Sequence, residues 1–277
     1  MNVVGIFGGL GNQMFQYVFG RALERRSGDE TYYDLTYFTE RRRRKNGLAE
    51  FACEVKSLDP KTVRALCRDS WWMRLLGKKP RLRHVLEDAS QGAQPELFAH
   101  RNAYFEGYFQ VAAYYEEMRD EILGLFTLRQ EPESYKALVR EVESCESCSV
   151  HVRRGDYVTL GVDLASNDPT YYARAVNLAK ERLKDPVFYV ISDDIAWAKE
   201  NVKIEGNVRY VPPVDLEHPV YDMMLMSRCR HNIAANSSFS WWGAWLNRNP
   251  EKLVVVPRRW SRDVEQPQMI PAGWERV

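Results

Sequence analysis

The sequence predicts an α/β protein of two Rossmann-like halves facing each other across a cleft. Three observations predict this. The first residues read as a strand, a glycine-rich turn and a helix, in that order. From about residue 147 strands and helices alternate regularly, which implies parallel strands joined by right-handed crossovers. The polar motifs of that second half follow directly after strands, at the sheet edge where α/β proteins bind ligands. The N-terminal domain is placed at 1–140 and the C-terminal domain at 141–277.

In chain order, Val3-Val4-Gly5-Ile6-Phe7 reads as a buried strand. Gly8-Gly9-Leu10-Gly11-Asn12-Gln13 is a glycine-rich turn, and Met14 to Arg26 carries helical spacing at Met14, Tyr17, Val18, Arg21 and Ala22. Residues 38 to 100 are the least legible. Arg41-Arg42-Arg43-Arg44-Lys45 reads as a solvated face. Trp71-Trp72 with Lys78, Lys79, Arg81 and Arg83 reads as a helix packing its tryptophans inward, the alternative being a patch on a membrane surface. Tyr104-Phe105-Glu106-Gly107-Tyr108-Phe109-Gln110 reads as a strand and turn. Its aromatic residues are core or, alternatively, a sugar-stacking platform. After residue 147 come strands ending at Val152, at Val187–Ile191, at Val208–Val211, at Asn232–Ala235 and at Lys252–Val256. Helices are expected at Pro169–Leu183, Ile195–Val202, Val220–Cys229 and Trp241–Asn247.

Composition excludes several classes. Hydrophobic content is 45% and charged content 28%, as in a globular protein. The net charge of +1 gives no basic field for nucleic acid. No apolar run has the length of a membrane span, and Met1–Phe7 lacks a basic leader, so a cytoplasmic protein is expected. Peripheral contact with the inner face of a membrane would fall to the basic and tryptophan stretches. The five cysteines, Cys53, Cys67, Cys145, Cys148 and Cys229, are odd in number and scattered, which suits a reducing compartment. Cys145 and Cys148 have redox-motif spacing without thioredoxin-like surroundings, and no second pair completes a zinc site.

The chemistry concentrates in His151-Val152-Arg153-Arg154-Gly155-Asp156-Tyr157. A guanidinium is a planar fork of donors that matches phosphate oxygens, so Arg153 or Arg154 is expected to hold a phosphate or diphosphate. A solvated surface or a salt bridge is the alternative. Ser192-Asp193-Asp194 and Asn236-Ser237-Ser238 should line the same sheet edge. Gly9, Gly11, Asn12 and Gln13 lead into a helix start, where backbone can approach an anion or a sugar and the side-chain amides of Asn12 and Gln13 are expected to face the donor or acceptor. The glycine spacing is not the dinucleotide fingerprint, and a tight packing turn is the alternative.

These residues resemble glycosyltransferase family 11, the α-1,2-fucosyltransferases. Gly8–Tyr17, His151–Tyr157 and Asn236–Leu246 are similar to its three signatures, and Glu106–Gln110 and Phe188–Asp194 also fit. The resemblance runs from the first strand to near residue 260 and is weak over 38 to 100. It implies a GT-B-like fold with the acceptor on the N-terminal side and a GDP-sugar on the C-terminal side. It implies inverting transfer of fucose from GDP-β-L-fucose to the 2-hydroxyl of a terminal galactose in a glycan. It places Arg153 on the β-phosphate and His151 near the nucleoside, with Arg154, Asp193, Asn236 and Phe239 also at the donor. Asp222, sixteen positions before Ser238, would contact the guanosine, and Ser237 and Ser238 would bond phosphate oxygens. Helix capping by the serines, and capping or surface pairing by Asp222, are the alternatives.

Departing GDP develops negative charge, which many glycosyltransferases neutralise with a metal held by Asp-x-Asp. The sequence contains no Asp-x-Asp. Arginine can perform that task, so catalysis without a metal or other cofactor is expected, with Arg153 as the electrostatic group. Asp156 is the first candidate for the base that takes the acceptor proton, or alternatively orients an arginine; Asp163, Asp168 and Asp193 are further candidates. A donor with another GDP-deoxyhexose, and a non-catalytic sugar-nucleotide or carbohydrate-binding module, are the competing readings.

Overall fold

The computed structural model describes residues 1–40, 44–68, 80–154, 169–260 and 267–277. The chain divides into two compact units, Met1–Arg129 and Gln130–Val277. No helix among the described residues is long and apolar enough to cross a membrane. Arg41, Arg42, Arg43, Trp71, Trp72, Lys78 and Lys79 lie outside the described residues, and so do Asp156, Asp163 and Asp168.

Unit 1 holds β1 (Asn2–Gly5), α1 (Leu10–Ser27), β2 (Thr31–Asp34), α2 (Thr36–Glu40), β3 (Ser57–Leu58), α3 (Pro60–Cys67), β4 (Arg83–Leu86), β5 (Ala103–Glu106) and α4 (Arg119–Leu125). Its strands form one sheet in the order β3-β2-β1-β5-β4, and each of these pairings is parallel. The apolar residues of α1 lie against that sheet: Met14, Phe15, Val18, Phe19 and Ala22 are fully buried. Close approach needs a glycine at Gly20, where a Cβ would come within 2.6 Å of the Tyr33 ring. The helix starts at Leu10, earlier than the expected Met14, because Gly9 takes the extended N-cap conformation and its carbonyl accepts from Asn12 N and Gln13 N. The segment Gly11-Asn12-Gln13 is therefore helical, not turn.

Unit 2 holds α5 (Glu133–Glu143), β6 (Ser147–Val152), α6 (Pro169–Arg182), β7 (Val187–Ser192), α7 (Ile195–Asn201), β8 (Val208–Val211), α8 (Val220–Arg228), β9 (His231–Ile233), α9 (Ser238–Trp245), β10 (Val254–Val256) and β11 (Glu275–Arg276). The sheet order is β11-β10-β9-β6-β7-β8, again parallel throughout. All six residues of β6 are buried, as befits a central strand covered on both faces. Val150, Val152, Phe188 and Val190 pack with Tyr171, Tyr172, Ala175 and Ala179 of α6. The Tyr171 hydroxyl donates to the Ala234 carbonyl at 2.6 Å and the Tyr172 hydroxyl to the His151 carbonyl at 3.1 Å, so α6 grips the ends of β9 and β6.

The division falls at Arg129/Gln130, before the expected 140/141. The reason is α5. Tyr135 packs on Tyr221 with ring centres 5.6 Å apart, Glu141 pairs with Arg209 at 2.8 Å, and Glu143 pairs with Arg228. These contacts fasten the helix to unit 2, while Arg129 is bonded to Glu50 and Cys53 of unit 1.

Candidate functional site

The three central strands of unit 2 deliver the polar motifs to one edge. Val152 of β6 is level with Ser192 of β7, and Val150 with Ile233 of β9. Arg153 and Asp193 therefore leave adjacent strands side by side, and Arg153 Nη1 meets Asp193 Oδ2 at 2.6 Å. The other Asp193 oxygen accepts the backbone N–H of Arg154 at 2.9 Å. One carboxylate thus fixes the side chain of the first arginine and the backbone of the second. Arg154 turns to α7: its guanidinium lies 4.0 Å over the Trp197 ring, and its Nε is 3.6 Å from Asp194 Oδ2. Asp194 itself caps α7 by accepting from Trp197 N at 3.0 Å.

Beside this pair the edge carries unmet hydrogen-bonding capacity. His151 is buried, its Nδ1 has no hydrogen-bond partner among the described residues, and its ring centre lies 5.5 Å from that of Phe239. Burial pulls the His151 pKa down to about 4, with the Asp193 carboxylate raising it and the Arg153 guanidinium lowering it. The imidazole is neutral at pH 7. Asn236 donates to the Trp260 carbonyl at 3.1 Å, but its Oδ1 is buried without a partner among the described residues. A stranded buried polar atom costs about 1–3 kcal/mol, which a ligand can relieve. As placed, Asn236 Oδ1 suits a hydroxyl or N–H, not a phosphate oxygen. Ser237 occupies the N-cap of α9 in extended conformation, yet its hydroxyl makes no capping bond. Ser238 opens the helix, whose first N–H groups and dipole favour an anion. Asp222 lies in the first turn of α8 and accepts from Val214 N at 3.1 Å. Burial raises its pKa to about 6, against the lowering effect of that bond.

In unit 1 the glycine-rich segment is braced from several sides. Gly8 has φ +79°, and a Cβ there would meet the Asn12 amide at 3.1 Å. Around Gly9 there is open space. Asn12 Oδ1 accepts from Gln110 Nε2 at 2.9 Å. Gln16 accepts from Phe7 N and donates to the Gly107 carbonyl, tying the ends of β1 and β5 together.

The structure brings His151, Arg153, Arg154, Asp193, Asn236, Ser237, Ser238 and Phe239 to one sheet edge. It corrects the roles of Gln13 and Gly11 and gives Arg154 and Asp193 partners of their own. Gln13 does not face a ligand: it is buried, donates both amide protons to the Gly8 and Lys45 carbonyls, and accepts from Gly47 N. Gly11 is buried within the first turn of α1. Arg154 stacks on Trp197 and faces Asp194, and its buried Nε has no hydrogen-bond partner among the described residues. Asp193 is the counter-ion of Arg153, and a carboxylate in that place repels a phosphate. Sequence reasoning missed Trp197 and Trp260; both act through ring face or backbone, which leaves no motif.

The family model Glycosyl transferase family 11 matches residues 86–270. The O-antigen biosynthesis glycosyltransferase WbnK of Escherichia coli is 30% identical, with 96% of this chain and 97% of that protein covered. The alpha-1,2-colitosyltransferase of Escherichia coli is 30% identical over 99% and 98% of the two chains. Galactoside alpha-(1,2)-fucosyltransferase 2 of Rattus norvegicus is 29% identical over 89% of this chain and 67% of its own. Among solved structures, fucosyltransferase NodZ from Bradyrhizobium superposes with a TM-score of 0.54 at 16% identity, covering 87% of this chain and 91% of NodZ. A second NodZ structure, co-crystallized with GDP, gives 0.52 at 16% identity over 87% and 91%. The fold is thus α/β with parallel sheets, of the GT-B kind seen in fucosyltransferases.

Proposed function

The chain belongs to glycosyl transferase family 11, and from that premise we propose that it transfers L-fucose from GDP-β-L-fucose to the 2-hydroxyl of a terminal galactose, with inversion and without a metal. The observation that carries this reading is the Arg153–Asp193 pair at the carboxyl edge of β6 and β7. A guanidinium oriented there by a carboxylate is held in place before the reaction, so little reorganisation is needed as charge develops on the leaving phosphate. Ser237 and the first N–H groups of α9 would add neutral donors to the same diphosphate. Asp222, pairing with guanine N–H groups, would set the base. His151 and Asn236 would satisfy their stranded atoms on the nucleoside.

In the reaction the galactose 2-oxygen attacks the anomeric carbon from the face opposite GDP. The bond between that carbon and the β-phosphate oxygen breaks, its electron pair leaves with GDP, and the hydroxyl proton passes to a carboxylate. Asp156, two positions beyond Arg154, is the proposed base. The charge on departing GDP falls to Arg153, since the sequence offers no Asp-x-Asp for a metal. The test is a screen of galactose-terminated acceptors with GDP-fucose, with and without EDTA, the product linkage read by NMR. An α-1,2 product formed in EDTA is expected; no transfer, or transfer abolished by EDTA, refutes the corresponding half.

A second donor reading has a specific support, the similarity to an alpha-1,2-colitosyltransferase over nearly the whole chain. Colitose lacks one hydroxyl that fucose carries. A site that hydrogen-bonds that hydroxyl discriminates strongly against the deoxy sugar, and an apolar site does not. Turnover of the two GDP-sugars side by side decides between them.

A further inference from the structure

At the carboxyl edge of the unit 1 sheet stands an aromatic group that the donor chemistry does not use. Tyr108 is 45% exposed, unusual for a ring in a turn so firmly held. Phe7, just past β1, meets it edge-on with centres 5.3 Å apart. The Tyr37 ring of α2 lies 6.4 Å from that of Phe7, tilted by 55°. Next to these rings, Gln110 donates to Asn12, which leaves Gln110 Oε1 and Asn12 Nδ2 outside that bond.

The turn that displays Tyr108 is fixed by its neighbours. The half-buried Glu87 carboxylate accepts the backbone N–H groups of both Tyr108 and Phe109 at 2.7 Å. Gly107 is required there, since a Cβ would come within 2.5 Å of Glu87. Phe109 adopts φ +52°, a left-handed conformation that a bulky residue takes only when its surroundings impose it. Its ring lies flat on Phe19, 3.8 Å between centres and 3° between planes, and its carbonyl accepts from the buried Tyr115 hydroxyl. Phe109 is anchored inward while its neighbour Tyr108 is presented outward. A ring kept rigid and half exposed beside paired amides matches a ligand that has one face of C–H bonds and a rim of hydroxyls. Tyrosine supplies such a contact at low entropic cost.

We infer that Tyr108, with Phe7 edge-on against it and Tyr37 beyond, is the platform on which the terminal galactose ring of the acceptor stacks, with Asn12 and Gln110 bonding its hydroxyls. The inference rests on the galactoside reading of the function. β-Galactose fits it because its axial 4-hydroxyl leaves the C3, C4 and C5 hydrogens together on one face.

The test uses the full chain, with methyl β-D-galactopyranoside and lactose as probes. In Tyr108→Ala the acceptor KM should rise about 3- to 10-fold, the equivalent of one aromatic contact. GDP affinity by calorimetry should be unchanged, and Tyr108→Phe should restore the parent KM. An unchanged acceptor KM in Tyr108→Ala overturns the platform while leaving the transferase reading intact. If the parent transfers to no galactoside, saturation-transfer NMR of methyl β-galactoside separates the two ideas. A signal lost in Tyr108→Ala supports the platform without the reaction, and no signal in the parent overturns it.

Discussion

Removing Arg153 should do more than delete one hydrogen-bond donor. The Arg153 and Asp193 side chains are about a quarter exposed, 24% and 26%, and they meet at 2.6 Å. In Arg153→Ala the Asp193 carboxylate keeps its bond to Arg154 N but loses its counter-ion. Loss of one preorganised donor to a developing anion costs about 2.7–4 kcal/mol, or roughly 10²–10³ in kcat. The abandoned carboxylate adds repulsion. Two like charges about 6 Å apart at an effective dielectric near 20 interact by about 3 kcal/mol, and part of that falls on departing GDP. Arg153→Ala should therefore lose on the order of 10³ or more in kcat. Adding Asp193→Asn should recover about tenfold, since the amide still accepts from Arg154 N but carries no charge. Asp193→Asn alone should lower kcat about tenfold through lost orientation while GDP binds as well or more tightly. Steady-state transfer and GDP calorimetry on the three variants measure this cycle. Turnover near the parent's in Arg153→Ala, or a double variant no faster than the single one, refutes the reasoning.

Asp222 gives a pH prediction with a definite sign. Its folded pKa is raised from 3.8 to about 6, so the native state holds this proton more tightly than the unfolded chain between those values. Its favourable contribution is present below about pH 4 and lost as pH rises through about 6. Asp222→Asn should be more stable than the parent at pH 7, by about 1–2 kcal/mol in thermal melts, with the difference vanishing near pH 4. GDP affinity of the parent should climb more steeply from pH 5 to 7 than that of the variant, in which only the ionisation of the GDP phosphate remains, and parallel profiles would sink the assignment. Gln13→Ala removes three part-buried hydrogen bonds and a buried side chain, so the melting temperature should fall by the equivalent of about 1–3 kcal/mol. GDP affinity should not change; a selective loss of GDP binding with normal stability would restore Gln13 to the ligand. Gly20→Ala should destabilise by about 1–3 kcal/mol. The Tyr33 ring, bonded to the Tyr17 carbonyl at 2.9 Å, cannot retreat from a new Cβ. A melting temperature equal to the parent's would show that the helix can shift.

The strands and motifs of unit 2 were legible because burial and chemistry each leave a pattern. Val187–Ile191 is a continuous apolar run, and the polar residues begin at the strand end, where backbone pairing stops. Register was not legible: that Val152 is level with Ser192, and hence Arg153 with Asp193, follows from sheet order. Periodicity cannot give that order. Residues 38 to 100 were opaque because β3 is two residues long and α3 buries only Val63, too little for a repeat to form. Gln13 and Asn12 are adjacent amides with the same sequence signal, yet one is consumed by carbonyls of residues 8 and 45 and the other is not. The distinction depends on a contact 32 residues away in the chain.

The charges at the edge constrain how the donor can be held. Among the described residues, Arg153 and Arg154 are matched by Asp193 and Asp194, so these four side chains carry no net charge. A site that relied on net positive charge would bind GDP tightly after transfer and release it slowly. On the proposed reading the carboxylates offset the long-range attraction and leave the donor to short-range, directed bonds from one oriented guanidinium, the Ser237 hydroxyl and the helix N–H groups. Such bonds depend on the position of the phosphate oxygens, which changes as the bond to the sugar breaks, whereas net charge attracts donor and product alike. With the donor bound as proposed, the balance of arginine and aspartate at the strand ends would direct electrostatic stabilisation to the transition state, where it raises kcat instead of merely retaining the product.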